Sequence, residues 1–201
     1  MRVVLVHGFL DRAGIMSGLA RHLKSCGHDC VAPSLQPCDA RHGLIPLAHQ
    51  LDQSIQESLP DDARFALVGF SMGALLCRYC LQELGGHRRV EAFFSIAAPQ
   101  AGTLTAYLYP GQGCRDMRPG SQFLRDLERT KDRLSMIPTT CYWSPVDPVI
   151  LPSKSAQLPG ASQVRVFSPL HPVITFDRRI YRDVGRRLKA QPTTGTQYAP
   201  P

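Results

Sequence analysis

The stretch that decides the fold is FALVGFSMG, residues 65–73. Phe65 to Val68 form an apolar run typical of a strand buried on both faces, and residues 74–84 have the composition of a helix. Gly69 to Gly73 matches G-x-S-x-G, in which a sharp strand-to-helix turn holds the serine in a strained conformation with its hydroxyl exposed. This setting predicts Ser71 as a nucleophile, the alternative being a glycine-flanked serine in an ordinary turn.

Apolar β-rich runs and amphipathic helices alternate on both sides of this motif. We expect strands over residues 2–6, 28–32, 65–68, 90–97, 137–143 and 163–167. Strands separated by helices predict an α/β fold with a mainly parallel sheet of about six strands, flanked by helices on both faces. Residues 1–190 are predicted to form one domain, with a disordered tail over 191–201. Because ligands bind beyond the carboxyl ends of such strands, functional residues are expected just after them.

The base that activates Ser71 is sought among the histidines. The strand–turn–helix serine motif is typical of α/β-hydrolases, in which the acid and then the histidine follow the serine along the chain. Only His87 and His171 come after Ser71. His87 lies in a polar turn before a strand, whereas His171 lies just past the last predicted strand. This order predicts His171 as the base, with a surface loop histidine as the alternative.

Asp147 is the predicted acid. Among the acidic residues between Ser71 and His171, it alone closely follows a strand. Pro145 and Pro148 stiffen its loop, which suits a carboxylate that must hold an imidazole in one tautomer. An aspartate in a proline-rich turn is otherwise common, and Asp116 is the reserve.

The oxyanion hole is expected from two backbone N–H groups. One belongs to the residue after the nucleophile, Met72, and the other to a loop after an early strand. Phe9 follows His7-Gly8 at the end of the first strand, so we assign it as the second donor, with Leu10 as its neighbour. His7 is interpreted as a structural hydrogen-bonding residue of this loop rather than a second base.

Taken together, these residues resemble the compact bacterial lipases and esterases of the α/β-hydrolase superfamily. The resemblance covers residues 2–190 and includes the motifs around Gly8 and Ser71. It extends to residues 98–103, 117–121 and 144–150. It implies hydrolysis of carboxylic esters without a cofactor or metal. The larger members carry a helical lid, for which the candidate segments here, residues 34–42 and 101–119, are too short; the resemblance therefore implies a minimal cap or none.

Composition limits the other functions. The chain has 201 residues, 43% of them hydrophobic, and a formal net charge of +7. Much of the positive excess lies in a predicted amphipathic helix marked by Phe176, Ile180, Val184 and Leu188, whose basic face is interpreted as solvated rather than as a surface for an anionic membrane or nucleic acid. Neither nucleic-acid binding nor a transmembrane segment is expected, and peripheral contact with a membrane is left open as an alternative. Of the seven cysteines, the Cys77/Cys80 pair is interpreted as buried small apolar side chains.

The prediction is therefore an esterase or lipase that acts on a small-molecule or lipid ester through an acyl-enzyme. Leu10, Tyr107, Tyr109 and Trp143 are candidates to line the substrate site, with an ordinary core role as the alternative. A thioesterase or acyltransferase would use the same triad, a serine peptidase is a weaker rival, and a catalytically idle binding module is the rival of another class. With no signal sequence recognised, the expected location is cytoplasmic, the alternative being secretion with a leader removed.

Overall fold

Six strands form one sheet in the computed structural model, which describes residues 1–190. The strands are β1 (Arg2–Val6), β2 (Asp29–Val31), β3 (Phe65–Phe70), β4 (Val90–Ile96), β5 (Thr139–Trp143) and β6 (Ser162–Arg165). Their order across the sheet is β2-β1-β3-β4-β5-β6, and every neighbouring pair is parallel. The predicted parallel sheet is confirmed. The tail predicted over 191–201 lies outside the described residues, and the extent of the domain stays a prediction.

Six α-helices connect and cover the strands in the described part of the chain. They are α1 (Ser17–Ser25), α2 (Leu44–Ser58), α3 (Met72–Gln82), α4 (Gln112–Asp116), α5 (Gln122–Arg129) and α6 (Arg178–Ala190). Short 3-10 turns cover Ala13–Met16, Gly86–Arg88, Leu104–Tyr107, Lys131–Leu134, Ser153–Ala156 and His171–Phe176. Between residues 1 and 190, no helix combines the length and apolar character needed to cross a bilayer.

The sheet separates two apolar layers, because successive side chains of a strand point to opposite faces. In β1, Val4 packs with the apolar side chains of α2, α3 and α5, whereas Leu5 packs with those of α1 and α6. All six residues of β3 are buried. The prediction of helices on both faces is therefore confirmed. Because β3 lies in the interior of the sheet, between β1 and β4, the turn that follows it starts from the centre of the molecule.

Several predicted element ends are wrong. β5 begins at Thr139 rather than at residue 137, because Pro138 has no N–H to donate to the sheet. β6 ends at Arg165, two residues before the predicted end. Phe176 was predicted on the apolar face of the last helix, but it lies in the preceding 3-10 turn and is exposed. The four-residue spacing of apolar side chains extends from Phe176 into the helix, although the helix itself begins only at Arg178.

The cysteines of α3 pack as apolar side chains. Cys77 and Cys80 are both buried and unpaired, and the Cys80 thiol donates to the Ala48 carbonyl oxygen at 3.3 Å. Burial raises the pKa of both thiols, which keeps them protonated. The structural interpretation of this pair is confirmed.

Replacing His28 with leucine is expected to stabilise the protein. His28 is buried at the start of β2, and neither ring nitrogen has a hydrogen-bond partner within residues 1–190. Burial lowers the pKa of His28, so the unfolded chain takes up a proton first as the pH falls. The wild-type free energy of unfolding should therefore decrease below about pH 6.5, the ordinary histidine value, and the His28→Leu variant should lose this part of the decrease. Relief of the unmet hydrogen bonds adds about 1–3 kcal/mol.

Urea unfolding at several pH values measures this effect. His42→Leu, at an exposed position, is the control and should give no comparable gain. If wild type and His28→Leu lost the same free energy of unfolding on acidification, the interpretation of His28 would be wrong.

Candidate active site

Ser71 occupies the turn between β3 and α3. Its backbone has φ 51° and ψ −123°, a left-handed conformation that L-residues other than Gly rarely adopt. The Ser71 N–H donates to the Ile96 carbonyl oxygen of β4 at 2.8 Å, which fixes the turn against the neighbouring strand. The Ser71 side chain is buried but lies at the carboxyl edge of the sheet, where sites of parallel sheets form.

The flanking glycines are required by close approach of backbone. A Cβ on Gly69 would lie 2.3 Å from the Ala74 Cα, and one on Gly73 would lie 2.3 Å from the His7 carbonyl oxygen. Both distances are far below contact, and both neighbours are backbone that cannot rotate away. The turn therefore depends on glycine at these two positions.

Gly73→Ala is expected to destabilise the protein by about 1–3 kcal/mol and to lower activity, because α3 must move away from the carboxyl end of β1. Thermal unfolding and kcat for a p-nitrophenyl ester measure the two effects. Gly14→Ala is the matched control, since a Cβ at Gly14 meets nothing within 4 Å. A Gly73→Ala protein with wild-type melting temperature and kcat would contradict the steric argument.

The structure brings the three predicted triad residues together. The Ser71 hydroxyl donates to His171 Nε2 at 2.8 Å, and His171 Nδ1–H donates to Asp147 Oδ2, also at 2.8 Å. The ring of His171 packs against Phe70, with 4.9 Å between ring centroids. All three triad side chains are at least nine-tenths buried. Because Asp147 accepts from Nδ1, the neutral imidazole presents a bare Nε2 to the hydroxyl.

Asp147 is held by its own loop. Its second oxygen, Oδ1, accepts hydrogen bonds from the N–H groups of Val149 and Ile150 at 2.8 and 3.3 Å. The carboxylate thus uses one oxygen to fix its orientation and the other to orient His171, which is the arrangement a triad acid requires.

Two serines that the sequence analysis missed connect the acid loop with the histidine loop. The Ser144 hydroxyl donates to the Ser168 carbonyl oxygen at 2.9 Å and accepts from the Ser168 N–H at 3.1 Å. It also accepts from the Val146 N–H at 3.3 Å. Each serine precedes a proline; Ser144 directly follows β5, and Ser168 lies three residues after the end of β6. The sequence offers no stronger signal for this contact.

The rejected candidates have other roles. Asp116 accepts from the Leu44 N–H at 2.9 Å and from the Gln112 side chain at 2.8 Å, so it caps the start of α2. His87 lies in the 3-10 turn before β4, where its Nδ1 donates to the Leu81 carbonyl oxygen at 3.0 Å. His87 therefore lies at the amino end of β4, at the opposite edge of the sheet from Ser71.

The two assigned oxyanion donors lie at the same edge of the sheet. Met72 is the first residue of α3, where a helix leaves its N–H groups without internal partners. The Leu10 N–H donates to the Cys38 carbonyl oxygen at 2.8 Å, which removes Leu10 as a donor and leaves Phe9. His7 donates from Nδ1 to the Gly8 carbonyl oxygen and accepts the Leu35 N–H at Nε2, both at 2.9 Å. The structural interpretation of His7 is confirmed.

Asp11 is a third feature that the sequence analysis missed. It is half-buried beside the loop after β1, and its Oδ2 would lie 3.0 Å from a Cβ placed on Gly8. Burial raises the pKa of the Asp11 carboxyl, an effect opposed by the charges of His7 and His171. A second carboxyl therefore lies within electrostatic reach of the triad histidine, and its place in the HGFLD stretch, four residues after His7, was the available signal.

The candidate substrate-lining residues do not form one group. Tyr109 packs edge-on against Phe9, with 5.7 Å between ring centroids, so it lies next to the oxyanion loop. Tyr107 instead stacks on the Arg118 guanidinium, 4.5 Å from the ring centroid, and Leu10 is exposed. Trp143 is partly buried at the carboxyl end of β5. Their contact with a substrate stays a prediction.

This arrangement can carry out acyl transfer. A hydroxyl, an imidazole and a carboxylate lie in series, which is the arrangement that activates a serine for nucleophilic attack. Within residues 1–190, no three His, Cys, Asp or Glu side chains form a cluster suited to a metal ion.

Comparison with known proteins supplies a family. A family model described as palmitoyl protein thioesterase matches residues 2–144, a segment that contains Ser71 but ends before Asp147 and His171. The lysosomal thioesterase PPT2 of Homo sapiens is 29% identical over 104 residues, which cover 50% of this chain and 34% of that protein. A PPT2 homolog from Drosophila melanogaster is 28% identical over 113 residues, covering 53% of this chain and 38% of the relative. The chain thus matches little more than a third of the length of these relatives.

Solved structures agree on the fold. Aspergillus fumigatus lipase B superimposes with a TM-score of 0.77 and 18% identity, over 94% of this chain and 52% of that one. The mature Bacillus licheniformis lipase BlEst2 gives a TM-score of 0.72 and 16% identity, over 93% and 91% of the two chains. At these identities the likeness concerns the fold alone, which is that of the α/β-hydrolases.

Proposed function

We propose that this chain, which belongs to the palmitoyl protein thioesterase family, is a serine hydrolase. On this proposal it cleaves carboxylic esters through an acyl-enzyme on Ser71. The observation that carries the proposal is the pair of 2.8 Å hydrogen bonds that His171 makes to Ser71 and Asp147. An isolated serine hydroxyl is a weak nucleophile, and a base in direct contact with its proton is what makes it reactive.

The first half of the reaction forms the acyl-enzyme. Ser71 Oγ attacks the carbonyl carbon while its proton passes to His171 Nε2, and the carbonyl oxygen becomes an oxyanion. The N–H groups of Met72 and Phe9 bind this oxyanion, an interaction stronger in the transition state than in the bound substrate. Asp147 stays ionised and stabilises the imidazolium. When the tetrahedral intermediate collapses, the proton on Nε2 goes to the leaving alcohol.

The second half releases the acid. Water gives a proton to His171 Nε2 as its oxygen attacks the acyl carbon, and the same N–H groups stabilise the second oxyanion. Collapse returns the proton to Ser71 Oγ and frees the carboxylic acid. No cofactor enters either half-reaction.

A thioester substrate is the second candidate, favoured by the family match and by the names of the relatives. The same triad can act on both classes of substrate. A thiolate leaves more readily than an alkoxide, so a thioester needs less help from the protonated imidazole. An acyltransferase would differ only in using an alcohol or amine in place of water. On the same proposal the substrate is a small-molecule or lipid ester or thioester, and contact with a membrane surface is peripheral; the cytoplasmic location stays a prediction.

Paired oxygen and sulfur substrates test the proposal. Acyl esters of p-nitrophenol and acyl thioesters of N-acetylcysteamine, each with a graded series of acyl chains, are assayed for kcat/KM. We expect turnover of the ester series by the wild type and none by Ser71→Ala. A ratio that favours every thioester over its matched ester would replace the ester assignment with the thioesterase, and no turnover of either series would overturn the proposal.

A further inference from the structure

Exposed apolar side chains are concentrated at one edge of the molecule. Within residues 1–190, the exposed large apolar side chains other than Met136 and Ile45, which lies in α2, belong to loops and short turns that follow the carboxyl end of a strand. We use the name apolar rim for the six aliphatic or phenyl side chains of these segments that are more than half exposed: Leu10, Leu104, Leu108, Phe167, Leu170 and Phe176. The rim comes from the segments after β1, β4 and β6, and it shares its edge of the sheet with Ser71.

The backbone that carries the rim is braced. The Leu104 N–H donates to the Leu151 carbonyl oxygen at 2.9 Å, and the neighbouring Thr103 hydroxyl donates to the Val149 carbonyl oxygen at 2.6 Å. Phe167 lies between Val166 and Ser168, whose N–H groups are bonded to residues of the acid loop and β5. These side chains are therefore held outward by fixed backbone, and such a concentration of apolar surface on a folded protein marks an interaction site.

The free charge beside the rim is positive. Arg12 follows the loop of Leu10, Lys154 follows Leu151, and Arg178 follows Phe176; all three are exposed, and none forms an ion pair in the described part of the chain.

Most of the acidic side chains near the apolar rim already form ion pairs. Asp39 pairs with Arg41 and Asp177 pairs with Arg179, while Asp11 is half-buried. An occupant of this edge therefore meets exposed apolar side chains together with cations that form no ion pair within residues 1–190.

We propose that the apolar rim docks on the surface of an anionic phospholipid bilayer. Acyl chains accept the leucine and phenylalanine side chains, and lipid phosphates and carboxylates accept the arginine and lysine charges. A second copy of this chain fits less well, because face-to-face pairing would bring the same cations opposite one another. Docking also turns the mouth of the active site towards the membrane. That the membrane supplies an acyl substrate rests on the proposed function. The binding of the rim to the bilayer does not depend on it.

Vesicle co-sedimentation tests the docking surface. We expect the wild type to sediment with phosphatidylcholine vesicles that contain phosphatidylserine, and to bind about tenfold more weakly when phosphatidylserine is left out or the salt concentration is raised. The double variant Leu108→Ser, Phe167→Ser should weaken binding by about tenfold or more, since two of the most exposed rim side chains lose their apolar area. The double variant is checked for a wild-type circular dichroism spectrum and melting temperature.

Met136→Ser is the matched control, because Met136 is as exposed as the rim but precedes β5 at the opposite edge. It should bind vesicles as the wild type does, and so should Ser71→Ala, whose binding separates docking from catalysis. Three results would overturn the proposal: no sedimentation of the wild type with either vesicle, equal loss of binding in Met136→Ser, or a dimer in analytical ultracentrifugation that the rim variant abolishes while vesicles stay unbound.

Discussion

Ser71→Ala is expected to lower kcat for a p-nitrophenyl ester by at least about 10⁴-fold. The change removes one oxygen, the atom that His171 Nε2 contacts at 2.8 Å. Alanine keeps the Cβ, so it meets the same backbone restriction at φ 51° as serine does. The fold and the melting temperature should therefore stay close to those of the wild type. Steady-state kinetics measure the loss of kcat, and thermal unfolding measures the melting temperature.

Ser162→Ala serves as the control, since Ser162 is exposed at the start of β6. It should keep the wild-type kcat. Hydrolysis by a correctly folded Ser71→Ala protein at a tenth or more of the wild-type rate would show that another group attacks the ester.

Asp147→Asn is expected to lower kcat by about 10⁴-fold while the protein stays folded. An asparagine amide in this position can donate a hydrogen bond to Nδ1, which favours the tautomer that carries its proton on Nε2. That nitrogen then cannot accept the Ser71 proton, and the charge that stabilises the imidazolium is also lost. Kinetic assays on purified protein, with circular dichroism as a check of folding, measure the effect.

Asp116→Asn discriminates between the two candidate acids. Because the Asp116 carboxylate caps α2 at Leu44, its loss is expected to cost about 1 kcal/mol of stability and to leave kcat unchanged. The reverse result, an active Asp147→Asn enzyme and an inactive Asp116→Asn enzyme, would exchange their assignments.

The features that the sequence predicts well are those with local causes. The turn at Ser71 needs a strand, two glycines and a helix within a few residues of one another, and each has its own signature. His171 and Asp147 were chosen by their position after strands, a rule that works because parallel strands bring their carboxyl ends to one edge. The structure places both side chains in contact there. Their catalytic roles stay predictions until the variants are measured.

The features that escaped prediction depend on contacts between distant segments. Asp116 caps a helix that begins 72 residues earlier, and nothing around either position indicates the pairing. The hydrogen bond between Ser144 and Ser168 connects the loops that follow β5 and β6. The Leu10 N–H donates to the Cys38 carbonyl oxygen, 28 residues further along the chain. A single sequence gives the hydrogen-bonding capacity of these groups but not which partner each finds after folding.

The exposed position of Phe176 has a similar origin. Its spacing from Ile180 fits the apolar face of the last helix, yet the chain enters that helix only at Arg178. Helix periodicity describes residues inside a helix and does not mark its first residue. The sequence therefore does not predict that Phe176 is exposed, and the apolar rim depends on where the folded loops lie.

Labelling with a fluorophosphonate probe, followed by peptide mapping, tests the central claim most directly. The probe reacts with a serine only where a base removes its proton and N–H groups stabilise the developing charge. We predict one adduct, on Ser71, in the wild type, with labelling lost in Ser71→Ala and strongly slowed in His171→Ala. An unlabelled wild-type protein would indicate a catalytically idle binding module, and an adduct on any other residue would place the nucleophile elsewhere.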